Sequence, residues 1–281
     1  IARYARRRRM APAGGLVGGM TWRGRLFGFF LASGLGAAVT VTVCMLAAQV
    51  GYVGIRAPFA ALGQPDVQHA IRLSLMCATA AAGLALIVAI PAAFALARHR
   101  FPGRRLVDAL LDVPIIVSPV AIGMTLLLMF RSPPGSWVQE HLMRFVFEVP
   151  GIILAQFIIA LALQIRVLKA TFEGIDPRLE QVARYLGCSP WAAMRRVTLP
   201  LARPGIIAAL VLSWGRAIGE YGATVTIAGS VKGKTDTIPI AIVLNWTAVR
   251  IEAAVALIMV LTALALFVLL MVRLAARGSR A

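Results

Sequence analysis

Residues 228–235, AGSVKGKT, come close to a nucleotide-binding motif. The phosphate-binding loop follows the pattern G-x-x-x-x-G-K-[ST], in which backbone N–H groups and the lysine surround the phosphates and a helix follows. Here Ala228 takes the place of the first glycine, and Pro239 comes too soon for a helix to follow. We therefore predict that this chain does not bind or hydrolyse ATP, and that the segment around Gly233 is a cationic loop.

Two ionisable residues, Arg216 and Glu220, lie inside an apolar run at residues 206–229. An ionised side chain at the centre of a membrane helix costs about 2.5–3.5 kcal/mol on insertion scales, so both should face protein or water. Their i, i+4 spacing allows an ion pair on one helix face. The pair is either a structural lock between helices or part of a path for an anion, and Ser213 and Thr224 are candidates for the same path or its gate.

The cysteines and histidines show no metal-binding or catalytic pattern. They are scattered over the chain at Cys44, Cys77, Cys188, His69, His99 and His141. A metal site needs several such residues at characteristic spacings. We therefore predict no metal, no disulfide and no cofactor. A membrane enzyme is the least favoured class, because Glu220 is the one acidic residue with polar company inside an apolar run.

The elements that must position these residues are membrane helices. Hydrophobic residues make up 60% of the 281 residues and the mean hydropathy is +0.84, well above the values of soluble domains. A hydrocarbon core requires about 20 consecutive apolar residues. Three runs reach this length and three are shorter or interrupted, at residues 26–50, 73–96, 253–272, 113–130, 151–165 and 206–229. We predict an all-α membrane protein with six transmembrane helices. The fifth contains glycines that permit either close helix contact or a break: Gly215, Gly219 and Gly222.

The positive charge is unevenly distributed along the chain. Lys and Arg number 29 against 11 Asp and Glu, which gives a net charge of +18. With a cytoplasmic N-terminus, the inner segments hold 20 basic residues and the outer segments hold six, as the positive-inside rule requires. We predict that both termini are cytoplasmic and that the basic start, RYARRRR, orients a retained first helix beside anionic lipid. Binding to nucleic acid is the less favoured interpretation.

A polar segment at residues 173–200, EGIDPRLEQVARYLGCSPWAAMRRVTLP, separates two of the apolar runs. Asp176 is a favourable helix N-cap with Pro177 at the first helical position, and Gly187 is typical of a helix end. Between them, apolar residues recur at i, i+3, i+4 and i+7 and form one stripe: Leu179, Val182, Ala183 and Leu186. We predict a short amphipathic helix, followed by a second short helix that Pro200 ends. The first helix lies either on the lipid surface or in the groove of a partner.

The spacing in this segment resembles the cytoplasmic loop of permease subunits of ATP-binding-cassette importers. That loop has the form E-A-A, three residues, G, nine residues, then I-x-L-P. Here Gly187 is followed by nine residues and then by V-T-L-P at residues 197–200, whereas the E-A-A positions hold Q-V-A at residues 181–183. The resemblance implies a coupling helix that docks on a separate ATPase subunit. The residues implied in this contact are Leu179, Glu180, Gln181, Val182, Ala183, Arg184, Leu186, Gly187 and Pro190.

Two further segments are similar to permeases for the tetrahedral oxyanions molybdate, tungstate and sulfate. They are residues 213–242, SWGRAIGEYGATVTIAGSVKGKTDTIPIAI, and residues 100–123, RFPGRRLVDALLDVPIIVSPVAIG. Molybdate permeases resemble the chain most closely, through G-E-x-G-A-T at residues 219–224 and T-x-T-I-P at residues 235–239. The S-P-V-A-I-G sequence is closer to some sulfate permeases, which keeps sulfate as an alternative beside tungstate.

The resemblance implies a type I importer permease in the inner cell membrane. Its expected partners are a second copy of the chain, two cytoplasmic ATPase subunits and an extracytoplasmic oxyanion-binding protein, with import by alternating access. We predict a basic tail at residues 1–25, a first transmembrane helix at 26–50, a permease domain at 68–273 with the coupling loop at 173–200, and a cytoplasmic tail at 274–281. A stand-alone secondary transporter is the competing class. It should show an internal repeat and several intramembrane carboxylates, and the sequence shows neither pattern.

Overall fold

The computed structural model describes residues 22–54 and 56–278, and every regular element within these ranges is a helix. The chain divides into two compact units at Tyr52. Within the described residues, the first unit contains α1 (Trp22–Val53) as far as Tyr52, and the side chains of this helix are largely exposed from Phe29 onward. A helix that is apolar all round suits a lipid solvent. The first 21 residues, which hold most of the predicted basic tail, lie outside the described part of the chain.

The second unit is a bundle of twelve α-helices within the described residues. They are α2 (Ala57–Leu62), α3 (Pro65–Arg98), α4 (Arg104–Ile116), α5 (Pro119–Arg131), α6 (Pro133–His141), α7 (Val149–Glu173), α8 (Pro177–Tyr185), α9 (Pro190–Ala193), α10 (Leu199–Ile218), α11 (Gly222–Ala228), α12 (Ile238–Thr247) and α13 (Ile251–Gly278). A π-helical turn, Met194–Thr198, joins α9 to α10. Most of these helices carry proline in the first turn. The N–H groups of a first turn have no hydrogen-bond partner within the helix, so a proline, which lacks this group, costs no hydrogen bond there.

Five helical segments of the described chain are long and apolar enough to cross a membrane. They are Phe29–Val53, Pro65–Arg98, Val149–Glu173, Pro190–Ile218 and Ile251–Leu270. A sixth span results when α4 and α5 are taken together, although these two helices are bent by 111° relative to each other. The predicted all-α membrane fold is confirmed, with six spans if the bent pair counts as one.

The bend between α4 and α5 lies at Val117 and Ser118, whose backbones are extended. Pro119 accounts for this position, because a proline disfavours the helical conformation of the residue before it. Pro114 lies inside α4. Of the two prolines in this predicted span, Pro119 therefore interrupts the helix and Pro114 does not.

The fifth predicted span contains glycines of two kinds, one at a helix break and one at a close contact between helices. Three residues, beginning with Gly219, separate α10 from α11 and break the helix. A Cβ atom on Gly222 would lie 3.0 Å from Val120 Cγ2, and one on Gly123 would lie 2.7 Å from Thr226 Cβ. Glycine at these two positions lets α11 pack closely against α5.

The helices α3 and α7 pack along each other at the centre of the second unit. Small residues let neighbouring helices approach closely, which is a common basis of helix association in membranes. α3 supplies them as a stripe of fully buried alanines, Ala78, Ala81, Ala82, Ala85, Ala89 and Ala93. One half of the pair packs against α5 and α11, in a cluster that includes Ile122, Ile152 and Ile227. The other half packs against α10 through Leu168 and Phe172.

Pro200 does not end a helix, and this prediction was wrong. The helical segment runs without interruption from Pro190 to Ile218, with Pro200 in the first turn of α10. In the π-helical turn, the Leu199 N–H donates to the Met194 carbonyl, five residues back. This wider turn accommodates the proline, whose ring clashes with a carbonyl in a regular helix.

Candidate functional site

The polar segment contains two helices, α8 and α9, that begin at side-chain caps. The Asp176 carboxylate accepts a hydrogen bond of 2.9 Å from the Arg178 N–H at the start of α8. The Ser189 hydroxyl accepts one of 3.2 Å from the Ala192 N–H at the start of α9. Each cap satisfies a backbone N–H that has no partner within its own helix. The predicted N-cap is confirmed.

The end of α8 is set by Gly187, whose backbone is left-handed with φ of 91°. The Gly187 N–H donates to the Arg184 carbonyl, and the Cys188 N–H donates to the Ala183 carbonyl, each at 3.0 Å. These two bonds together form a Schellman motif, in which glycine is favoured because it adopts this conformation without a Cβ penalty. The predicted helix end is confirmed.

The large residues of the apolar stripe of α8 are exposed. Leu179, Val182 and Leu186 are 46%, 55% and 82% exposed, and the nearby Tyr185 and Trp191 are 89% and 66% exposed. Large apolar side chains clustered on a polar segment mark an interaction surface, because their exposure to water is unfavourable unless a partner covers them. We define the coupling surface as these five residues: Leu179, Val182, Tyr185, Leu186 and Trp191.

Glu180, by contrast, is turned toward the bundle. The Arg98 Nε donates to Glu180 Oε1 at 2.8 Å, and Arg98 Nη2 donates to the Ile175 carbonyl at 2.9 Å. The two charged side chains are only 10% and 15% exposed. These bonds fix α8 to the end of α3, and no sequence pattern indicates them. The remaining residues that the resemblance places in the ATPase contact are exposed, apart from the buried Ala183: Gln181, Arg184, Gly187 and Pro190.

Three ion pairs, which we name the α4–α7 ladder, bind α4 to the end of α7 beside the polar segment. They join Arg104 to Glu173 at 3.4 Å, Lys169 to Asp108 at 2.5 Å, and Arg166 to Asp112 at 2.7 Å. The α4 members recur every four residues and therefore share one face of that helix. The opposite face is apolar and exposed at Leu106, Leu110 and Val113. Sequence reasoning missed the ladder, because spacing along the chain does not show which helix lies opposite.

The helix break holds the ion pair that the sequence predicted. The Arg216 Nη1 donates to Glu220 Oε2 at 2.6 Å. The other carboxylate oxygen of Glu220 accepts a hydrogen bond of 3.1 Å from the Ala223 N–H, in the first turn of α11. The Glu220 side chain is 2% exposed, whereas that of Arg216 is 43% exposed. The carboxylate therefore joins α10 to α11, and the guanidinium reaches the surface of the chain.

The other two candidate path residues, Ser213 and Thr224, are fully buried within the chain. The Gln164 amide donates to Ser213 Oγ at 2.6 Å and to a carbonyl of α3 at 3.0 Å. Thr224 Oγ1 and both amide atoms of Gln156 have no hydrogen-bond partner among the described residues. Sequence reasoning overlooked both glutamines, although polar amides inside the apolar run of α7 were the available signal.

The loop between α11 and α12 lies at the end of α3 that is opposite to the polar segment. Its charged residues pair with other elements: Lys232 with Asp66 at 2.5 Å, Lys234 with Glu148 at 2.5 Å, and Asp236 with His69 at 3.0 Å. The two lysines were predicted to form a cationic loop. The structure corrects this prediction, because a carboxylate offsets the charge of each lysine.

The expectation that no helix follows this loop was also wrong. α12 begins one residue before Pro239, since proline is well tolerated in a first helical turn. The loop still lacks the form of a phosphate-binding loop. Lys234 is held by Glu148, and the buried Thr235 hydroxyl accepts a hydrogen bond of 3.0 Å from the Val231 N–H. The absence of nucleotide binding stays a prediction.

Comparison with known proteins assigns the chain to a family. Residues 85–280, more than two thirds of the chain, match the family described as the inner membrane component of binding-protein-dependent transport systems. The chain belongs to this family. The match favours the importer permease over the stand-alone secondary transporter and the membrane enzyme that the sequence left as alternatives.

Curated relatives of this permease belong to oxyanion transport systems. The sulfate permease CysW of Synechocystis sp. is 34% identical over 78% of this chain and 80% of its own length. The molybdenum permease ModB of Escherichia coli K12 is 37% identical over 63% of this chain and 79% of its own length. The molybdate/tungstate permease WtpB of Thermococcus kodakarensis is 35% identical over 74% of this chain and 79% of its own length. The resemblance read from the sequence is confirmed.

Two solved structures confirm the fold of this permease. A chain of a bacterial ABC transporter that imports the polysaccharide alginate has a TM-score of 0.69 at 19% identity, covering 90% of this chain and 95% of its own. A chain of the MetNI methionine ABC transporter has a TM-score of 0.57 at 15% identity, and the match covers 74% of this chain and 94% of that chain. The fold is that of a type I importer permease.

Proposed function

We propose that this permease is the membrane-spanning subunit of an ATP-driven importer for a tetrahedral oxyanion. Two copies form the path between them, because one six-span protomer offers little interior for a path of its own. Each copy docks one cytoplasmic ATPase subunit, and an extracytoplasmic binding protein delivers the anion. The permease domain covers residues 68–273, both termini lie in the cytoplasm, and the protein resides in the inner cell membrane.

The coupling surface is the observation that supports ATPase docking. Its five apolar side chains, which are 46–89% exposed, lie on α8, at its C-terminal end and at the start of α9, and such an apolar helical surface fits a groove on a partner. The Schellman motif at Gly187 and the bond from Arg98 to Glu180 hold this face in one orientation. A docking helix that is held rigidly transmits a displacement of the partner, whereas a loose loop would absorb it.

The mechanism is alternating access. ATP binding draws the two ATPases together and displaces both coupling surfaces. The displacement passes through Arg98 to α3 and through the α4–α7 ladder to α4, so these helices move with α8. The spans then open outward to receive the anion, and hydrolysis restores the inward-facing arrangement.

The helix break contributes the candidate anion contact. The partly exposed Arg216 guanidinium presents several N–H donors, and a guanidinium forms charge-assisted hydrogen bonds with oxyanions. Glu220 restrains that guanidinium and offsets its positive charge. The weaker attraction favours passage of the anion over tight binding of the anion. Ser213 and Thr224, which are buried in the single chain, belong to the framework of the gate.

Molybdate is the first candidate substrate, and sulfate and tungstate are the alternatives. The motifs at residues 219–224 and 235–239 favour molybdate. Sulfate keeps comparable support, because CysW and ModB relatives match at 34% and 37% identity and CysW covers the larger share of this chain. The three anions share shape and charge, so the binding protein is expected to make most of the selection.

Uptake measurements test the proposal. Cells that express the permease with its neighbouring ATPase and binding protein should accumulate labelled molybdate, and removal of the ATPase should abolish uptake. Uptake that continues without the ATPase would identify a secondary transporter instead. Calorimetry on the purified binding protein, titrated with molybdate, tungstate and sulfate, distinguishes among the three substrates.

Cysteine labelling tests the membrane orientation. The exposed Ser189 lies between α8 and α9, and Ser189→Cys can be introduced into a chain whose native cysteines are replaced by serine. An impermeant maleimide added to intact cells should leave this cysteine unmodified, and should modify it after the inner membrane is opened. Labelling from outside would reverse the proposed topology.

A further inference from the structure

The turn between α3 and α4 borders an open, basic cleft that is separate from the coupling surface. The cleft has a volume of about 490 Å³, which lies within the range of about 300–1,000 Å³ for small-ligand pockets. Its lining residues are Arg100, Phe101, Gly103, Arg104, Arg105 and Asp108. Two of these residues, Arg104 and Asp108, belong to the α4–α7 ladder, and the functions proposed above leave Arg100 and Arg105 without a role.

A tight turn gives the cleft its shape. The Arg104 N–H donates to the Phe101 carbonyl at 3.2 Å, and Gly103 has φ of 80° and ψ of 1°. Proline at the second position and a left-handed glycine at the third define a type II β-turn. The turn reverses the chain within four residues and thereby brings Arg100 and Arg105 to the same cleft.

The charges of the cleft are only partly compensated. Arg104 is paired with Glu173, and Asp108 is paired with Lys169, in the α4–α7 ladder. No carboxylate of the described residues lies within 4.0 Å of the guanidinium nitrogens of Arg100 or Arg105. Two uncompensated guanidinium groups beside an open cleft favour an oxyanion, which both can bind by charge-assisted hydrogen bonds.

The cleft lies directly after the apolar stretch of a candidate span. No charged residue occurs in α3 between residues 73 and 97, and Arg98 is the first after this apolar stretch. The cleft therefore begins where the apolar stretch ends, and this is the level at which we expect the lipid headgroups. From there the exposed apolar face of α4 continues away from the turn, with Leu106, Leu110 and Val113 at 65%, 59% and 44% exposure.

We propose that this cleft binds the phosphate of an anionic phospholipid, with an acyl chain lying against the exposed face of α4. The cationic group and the adjacent apolar face match the two parts of such a lipid, as in other basic headgroup sites at membrane surfaces.

Lipid titration of the purified full-length chain tests this proposal. The chain in neutral detergent is titrated with phosphatidylglycerol and with phosphatidylcholine, and bound lipid is counted by native mass spectrometry. The cleft variant Arg100→Gln/Arg105→Gln should bind phosphatidylglycerol about tenfold more weakly, because two charge-assisted hydrogen bonds are lost. The matched control Arg195→Gln/Arg196→Gln removes the same charge from exposed residues at the same end of the bundle and should bind within about twofold of the native chain.

Several results would overturn the proposal. Equal weakening in the cleft variant and the control would show diffuse attraction without a site. Displacement of the lipid by equimolar inorganic phosphate would show a site for a soluble anion, with no contribution from the acyl chain. A spontaneous intermolecular disulfide through Leu110→Cys, in a chain without native cysteines, would show that a second copy covers α4. If the double variant is not monodisperse, Arg105→Gln alone should still weaken binding of phosphatidylglycerol, and unchanged binding would count against the site.

Discussion

Substitution of Arg216 by glutamine isolates the buried carboxylate at the helix break. In Arg216→Gln, Glu220 stays 2% exposed and keeps one partner, the Ala223 N–H at 3.1 Å. Removing one member of a buried ion pair costs about 3–5 kcal/mol. Since the Arg216 side chain is 43% exposed, solvent screens part of this interaction. We therefore expect a loss of about 3 kcal/mol in the free energy of unfolding.

The double variant Arg216→Gln/Glu220→Gln should be more stable than Arg216→Gln. The second substitution removes the stranded charge, and the glutamine carbonyl can still accept the hydrogen bond from Ala223. We expect a total loss of about 1 kcal/mol, the usual net worth of one hydrogen bond. The single variant Glu220→Gln should lie between the two, because the exposed Arg216 can be solvated by water.

Denaturant unfolding of the purified chain in detergent, followed by tryptophan fluorescence, measures these differences, with the exposed Arg250→Gln as a control. Small losses in the two single variants that add up in the double variant would refute the reasoning, since they would show that both side chains reach water. Uptake distinguishes a further role. If Arg216→Gln abolishes transport at near-native stability while Glu220→Gln transports normally, Arg216 guides the anion and the pair is not a structural lock.

Four other changes have expected outcomes. Gly187→Val should weaken co-purification with the ATPase, because a β-branched residue disfavours the left-handed end of α8. Arg98→Gln should increase amide hydrogen exchange across α8, because Glu180 loses its partner. Gly123→Ala should lower the free energy of unfolding by about 1–3 kcal/mol through overpacking against α11. The isolated chain should bind no ATP in equilibrium dialysis, and Lys234→Ala should leave that result unchanged.

Matched variants control for these changes. Gly187→Asn keeps a residue that tolerates the left-handed conformation and should retain ATPase association; full association in Gly187→Val would contradict the role given to this end of α8. Arg178→Gln removes an exposed charge from α8 and should not alter exchange. Gly83→Ala adds a methyl group where no atom lies within 4 Å and should not lower the free energy of unfolding. Saturable ATP binding that Lys234→Ala abolishes would refute the nucleotide prediction.

The features that the sequence predicted correctly are those with local causes. Asp176 and Gly187 define both ends of α8 through bonds within a few residues, and the Arg216 to Glu220 pair spans one helical turn. Apolar runs identify spans, because the hydrocarbon core requires a minimum length whatever the neighbouring helices are. A local signal can still mislead. Pro200 is a helix breaker in isolation, yet the π-helical turn before it lets the helix continue.

The features that the sequence missed join distant parts of the chain. The bond from Arg98 to Glu180 crosses 82 residues and the Gln164 to Ser213 bond crosses 49, so neither has a spacing that could be recognised. The sequence predicts a cationic loop at Lys232 and Lys234, because the carboxylates that pair with these lysines belong to other elements. Helix packing, which one sequence does not specify, decides each of these contacts.

The α4–α7 ladder has a consequence for the order in which the chain is synthesised. Asp108 on α4 leaves the ribosome 61 residues before its partner Lys169, a delay of roughly 3–12 s at about 5–20 residues per second. During this interval the two carboxylates of α4 have no cations opposite them, and hydrocarbon would penalise the charge of Asp112, which lies one turn further along α4 than the cleft residue Asp108. Nascent α4 should therefore wait at the water interface or in the translocon until α7 arrives, so that the third span completes its insertion only after the fourth.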